Sequence, residues 1–153
     1  MKMIILVAVS LLSTNTFACP DFNGMFYKCT TGDVVMDVMM GVNKAKLIVT
    51  QTGKEISVDF LGKITTLKVD EIVEVENYSQ SQQATIYSKI YSSCQNDILN
   101  IEEESKLVFD NGKVELESSQ TDVFLKDNKI HLNILQHRDN GPDQKLNITC
   151  KRR

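Results

Sequence analysis

Four cysteines, Cys19, Cys29, Cys94 and Cys150, are the residues of this chain best suited to covalent chemistry. None sits in a C-x-x-C pair, so thiol exchange of the thioredoxin kind lacks its motif. An even set of cysteines in a chain that leaves the cytoplasm reads instead as two structural disulfides. Alternation puts Cys94 on the face of Ile86, Ser88, Ile90 and Ser92, and Cys150 on the face of Leu146 and Ile148. With both pointing inward, a Cys94–Cys150 bridge is expected, worth about 4 kcal/mol in the chain-entropy model. Cys19 and Cys29 then pair by elimination. A fully extended chain would hold them about 33 Å apart against the ~5.5 Å of a disulfide, so this pairing needs a bend, which Asn23-Gly24 can supply. Locality favours this set, and the other two connectivities stay open.

Other reactive side chains are sparse. His131 and His137 stand six residues apart; read as lying on opposite faces of a strand, they cannot share a tetrahedral site, and no metal is expected. Glu102-Glu103-Glu104 suggests a carboxylate pair for calcium or glycoside chemistry, but neighbouring strand residues diverge, and a solvated strand end is the expectation. The chain has no G-x-S-x-G, H-E-x-x-H or Gly-rich phosphate loop. No catalytic residue and no cofactor is assigned, and the chain reads as non-enzymatic. Two groups of binding residues remain. Phe26, Met36, Met39 and Phe124 are apolar side chains that could line a ligand cavity. Arg138, Asp139, Asn140 and Asp143 flank Gly141-Pro142 in a loop expected to protrude and to suit a protein partner. Tyr87 and Tyr91 lie opposite Ile86 and Ile90 and read as a surface stripe.

Where these residues act follows from the N-terminal text. Lys2 precedes an apolar run, Met3 to Leu12, and Thr16-Phe17-Ala18 leads into Cys19. That is the pattern of a cleaved signal peptide over residues 1–18, leaving residues 19–153 as one domain in the periplasm or outside the cell. Cleavage leaves 135 residues, enough for a single core, and moves the net charge from -3 to -4. This mild acidity argues against a nucleic-acid binder, or a binder of anionic membranes as a whole. Lys151-Arg152-Arg153 reads as a solvated tail. No second apolar stretch reaches the ~20 residues of a membrane helix. A bacterial lipoprotein carries Leu three places before its cysteine and a small residue two before, where this chain has Thr16 and Phe17. Lipidation at Cys19 would also leave an odd thiol, so a lipid-anchored envelope protein ranks third among the readings.

The elements that position these residues are strands. Lys129 to Gln136 alternates Ile130, Leu132 and Ile134 with polar neighbours, and Lys145 to Cys150 repeats the pattern across the turn at Arg138 to Asp143. Further runs cover Ala45–Gln51, Glu55–Phe60, Ile64–Val69, Ala84–Cys94, Asp97–Glu104, Ser105–Asp110, Lys113–Ser118 and Asp122–Lys126, separated by Gly, Asn and Asp pairs. Val34 to Met40 is apolar at both strand and helix spacing, and a short helix is one reading of it. Eight to ten sequential antiparallel strands must close or stack to hide their apolar faces. An all-β, up-and-down barrel is expected, with a sandwich as second choice.

Phe22-Asn23-Gly24-Met25-Phe26 resembles the opening of a lipocalin-type barrel, in which a Gly-x-Trp at the first strand plugs one end. Gly24 and Phe26 hold those places, with Phe standing for Trp. The segment from Cys19 to Cys29, with a closing Cys150, also resembles small exported, disulfide-containing proteins of predatory Gram-negative bacteria; that likeness covers the two ends and the layout and carries no site. The lipocalin resemblance implies a binder of a small hydrophobic ligand. A secreted or envelope protein is the other partner considered, as for an inhibitor of extracellular hydrolases.

Overall fold

Short runs of alternating polarity joined by turn-forming pairs leave little choice but antiparallel pairing of neighbours. The computed structural model describes residues 19–60, 62–139 and 141–153, so the expected signal segment and Asn140 lie outside the described residues. The strands are β1 (Gly24–Thr30), β2 (Leu47–Thr52), β3 (Glu55–Phe60), β4 (Lys63–Lys68), β5 (Ile72–Ser79), β6 (Ala84–Gln95), β7 (Ile98–Phe109), β8 (Val114–Lys126), β9 (Lys129–Arg138) and β10 (Gln144–Arg152). A short helix, α1 (Val34–Met39), and a 3-10 turn, Val42–Lys44, connect β1 to β2.

All ten strands form one sheet in the order β4-β3-β2-β1-β10-β9-β8-β7-β6-β5. The first strand pairs with the last, so the meander curls into a nearly closed barrel. Its two edges, β4 and β5, are joined by the short connection at Val69 to Glu71, which meets β6: Val69 bridges Ser92 and the Asp70 amide donates to the Ser92 carbonyl at 2.7 Å. The tight turns carry the chemistry such hairpins require. Asn96 and Asp97, and likewise Asp127 and Asn128, all adopt positive φ, the pattern of two-residue turns whose twist matches the strands.

Three expectations shift. The turn after β6 is centred on Asn96-Asp97, one residue beyond Gln95-Asn96. The separate runs foreseen at 97–104 and 105–110 are one strand, β7, and those at 113–118 and 122–126 are one strand, β8. The polar stretch Ser118-Ser119-Gln120 does not break β8, because it pairs residue for residue with Glu104-Glu103-Glu102. Glu102 to Glu104 therefore lies in mid-strand, not at a strand end. The sequence reading also passed over β5, whose Val73 and Val75 alternate with Glu74 and Glu76.

The cysteine pairing foreseen is corrected. Cys19 bonds Cys94 and Cys29 bonds Cys150, with Cα separations of 5.1 and 4.0 Å. Cys94 and Cys150 do face inward as alternation requires, but β7, β8 and β9 stand between their strands. Asn23-Gly24 does not bend the chain back. The Asn23 side chain pairs with Gln51 as a backbone group would, accepting from its amide and donating to its carbonyl, and β1 runs on extended. A β-bulge supplies the rest. Tyr27 faces Lys151 and Thr30 faces Thr149, so Lys28 and Cys29 together oppose Cys150 alone. Lys28 takes φ 50°. This one extra residue turns both Phe26 and Cys29 inward, three apart, where regular alternation would oppose them.

Candidate functional site

The interior of the barrel is the candidate site, and it changes character along its length. One end is packed solid. Phe22, Phe26, Leu47, Ile56, Leu99, Ile130, Val69 and Cys150 are almost wholly buried there. The Arg152 guanidinium lies 5.7 Å over the Phe26 ring and donates to the Asn23 carbonyl. Gly24 permits this approach, since a Cβ there would stand 3.0 Å from Arg152 Nε. Phe26 is thus a plug and not a lining residue, and the terminal Arg152 is not a solvated tail.

Above the plug, cross-strand partners identify the inward rows. Val58, Phe60, Val75, Ile101, Leu132, Ile134 and Leu146 share the core face yet remain only partly buried. These side chains pack against the core and still touch solvent.

Further along, the inward rows turn polar. Ser88 faces Ser105 and Ile90 faces Glu103 across β6 and β7, while Ser105 faces Glu117 and Glu117 faces Arg138 across β7, β8 and β9. Ser105 Oγ donates to Glu103 Oε1 at 3.0 Å, so Ser88 Oγ is the donor in its 2.7 Å bond to Ser105. Glu117 accepts from Gln136 Nε2 at 3.2 Å and pairs with Arg138 Nε at 3.0 Å. Of three inward carboxylates, Glu117 is paired with Arg138 and Glu115 with Lys113 Nζ at 2.5 Å, which leaves Glu103 as the carboxylate without a cationic partner among the described residues. With the hydroxyl protons of Ser88 and Ser105 committed, this region presents lone pairs to the lumen.

The binding residues foreseen from sequence are not brought together. Met36 and Met39 lie exposed on α1. Phe124 projects outward from β8, stacked on His131 with ring centroids 4.9 Å apart. Arg138 is held by Glu117, the Asp139 amide donates to the Leu116 carbonyl at 3.4 Å, and Asp143 pairs with His137 at 2.5 Å; Asn140 lies outside the described residues. The histidine reading is also corrected, because an even spacing keeps both residues on one strand face. His131 and His137 both project outward, although among the described residues no cluster of metal-ligating side chains forms around either.

Asp143 raises the His137 pKa above the free-imidazole 6.5, by hydrogen bond first and charge second. A raised pKa in the folded state means this turn contact is complete below pH 6.5 and fades as pH climbs through the His137 midpoint. An NMR titration should place that midpoint above 6.5 and return it toward 6.5 in Asp143→Asn.

Ser88 was placed on the inward face with Cys94, but Glu103 and Ser105 escaped the sequence reading because a Ser or Glu at an inward position looks the same as one on a solvated strand. The signal was parity: Leu99, Ile101, Glu103, Ser105 and Leu107 fall on one face. A concavity of about 800 Å³ crosses β5 to β9, lined mostly by outward residues such as Tyr87, Lys106, Leu116 and His137 but also by Val75, Ser88, Ser105 and Glu117 of the inward rows. Tyr87 and Tyr91 are exposed on this outer side.

No protein-family model and no curated protein sequence matches the chain. Among solved structures, human cRBP IV matches over 88% of this chain and 99% of its own, with a TM-score of 0.51 and 14% sequence identity. The likeness is one of fold: the chain is an all-β, lipocalin-like barrel of ten antiparallel strands.

Proposed function

We propose that this protein is a non-enzymatic carrier of a small hydrophobic molecule, held in the barrel lumen with its polar end against Glu103, Ser105 and Ser88. One observation carries the reading: inward-facing Val58, Phe60, Val75, Ile101, Ile134 and Leu146 remain partly exposed, as unfilled apolar space demands. The fold supports it, since cRBP IV is a retinol-binding barrel. The lone pairs and net negative charge of the polar region suit a ligand whose head donates hydrogen bonds, an alcohol or an amine, and disfavour a carboxylate. Two disulfides fit an oxidising compartment, and with residues 1–18 as a signal segment the carrier works in the periplasm or outside the cell. The alternative, recognition of a protein through the loop at Arg138 to Asp143, has less support because Glu117 and His137 tie both ends of that loop down.

The test uses two fluorescent probes, neutral N-phenyl-1-naphthylamine and anionic anilinonaphthalene sulfonate. The neutral probe should bind about tenfold more tightly. Ile101→Trp, which fills the lumen, should abolish binding of both, and Glu103→Gln should narrow the gap between them. Equal affinity for both probes in the wild-type protein, unchanged by Ile101→Trp, would place binding outside the lumen.

A further inference from the structure

Helix α1 is inverted relative to what a surface helix should be. Its one buried side chain is charged: Asp37 is 8% exposed and accepts from Thr30 Oγ1 at 2.5 Å, from the Thr31 amide at 2.6 Å and from Thr31 Oγ1 at 2.7 Å. These bonds hold its carboxyl below the usual 3.8, so the tether survives to acid pH. The apolar residues around it point outward. Val34, Val35, Met36, Val38, Met39 and Met40 are between 42% and 82% exposed. Asp33 caps the N-terminus, accepting from the Val35 and Met36 amides. The helix rests on the 3-10 turn, which packs against β1 through buried Val42, so Asp37 fixes a rigid apolar knob and does not leave a frayed loop.

The charges around this knob say what covers it. Between residues 28 and 46 the exposed charged side chains are Lys28, Asp33, Lys44 and Lys46; with the ionised Asp37 counted the segment is net positive by one in a chain whose overall charge is -3. An apolar projection flanked in sequence by Lys28, Lys44 and Lys46 matches an anionic phospholipid surface: acyl chains accept the Val and Met side chains while the headgroups meet the ammonium groups. We infer that α1 is a membrane-docking element that inserts Val35, Val38 and Met39 into the interfacial zone of an anionic bilayer. The overall acidity that argues against the whole molecule lying on such a surface keeps the rest of the barrel away from it. This inference stands independently of what the lumen carries.

The chain has no tryptophan, so Met39→Trp makes a unique reporter at the tip of the knob. With vesicles of phosphatidylglycerol and phosphatidylcholine its emission should shift to the blue, and Lys126→Trp, at the exposed end of β8, should not respond. Wild-type protein should co-sediment with these vesicles. Binding should fall about fivefold for each of Lys44→Glu and Lys46→Glu, and at least about tenfold in Val35→Glu/Met39→Glu. All these positions are exposed, so circular dichroism should be unchanged. Absence of a shift, equal binding to phosphatidylcholine alone, or a wild-type dimer that Val35→Glu/Met39→Glu dissolves would each overturn the inference.

Discussion

Replacing Cys29 and Cys150 together with alanine should lower the free energy of unfolding by about 4–5 kcal/mol, a fall in melting temperature on the order of 15 °C. The bond joins residues 121 apart in sequence, so its reduction frees nearly the whole chain in the unfolded state. It also fastens β1 to β10, the pairing that turns a ten-strand meander into a barrel. Both cysteines are buried, and alanine leaves their place in the core under-packed as well. Urea denaturation of oxidised wild-type and double-variant protein measures the difference. A loss below 1 kcal/mol would mean that the β1–β10 register holds without the covalent link. Cys19→Ala/Cys94→Ala is the useful comparison: its loop is also long, 75 residues apart, but it fastens the segment before β1 to the end of β6 and crosses no strand pairing.

Phe26→Ala should cost about 3–5 kcal/mol. Phe26 is completely buried at the centre of the plugged end, and its ring is the platform for the Arg152 guanidinium. Deleting the ring leaves a cavity at the base of the barrel and removes the partner that holds the last strand across the first. The denaturant slope should stay constant while the midpoint falls, because the change is in packing and not in the extent of the folded region. If Phe26 lined the lumen instead, the substitution would enlarge the ligand space at small cost in stability and alter probe affinity; a stability loss with lumen affinity retained separates the two roles.

Most strands and turns were legible because a half-buried sheet writes a period of two, and Asn-Gly and Asp-Asn pairs write hairpins; the turn at Asn96-Asp97 was placed one residue early. Val34 to Met40 was ambiguous for a physical reason, since the helix there exposes its apolar residues and so carries no buried stripe to read. The disulfides defeated the reading at Lys28. A bulge is a break in parity, and nothing in the types Tyr27-Lys28-Cys29 announces that Cys29 will face the same side as Phe26. Locality then favoured Cys19 with Cys29, while the closed topology puts β1 beside β10 and brings together residues at opposite ends of the chain. The lumen was half legible. Ile86, Ile90, Ile130 and Ile134 were seen to point inward, but the polar rows at Glu103, Ser105 and Glu117 looked like solvated strand until strand pairing fixed their parity. Phe124 was taken for lining because it is aromatic, although it is one residue out of phase with Val123 and Leu125.

The measurement that bears most directly on the carrier reading is the intact mass of protein purified from its natural host, taken under native and then denaturing, non-reducing conditions. The account predicts a native adduct of a few hundred daltons that is lost on denaturation, an apolar alcohol or amine, on a chain lighter than its reduced form by the four hydrogen atoms of two disulfides. A bare chain in every preparation, together with no lumen-dependent binding of N-phenyl-1-naphthylamine, would contradict it.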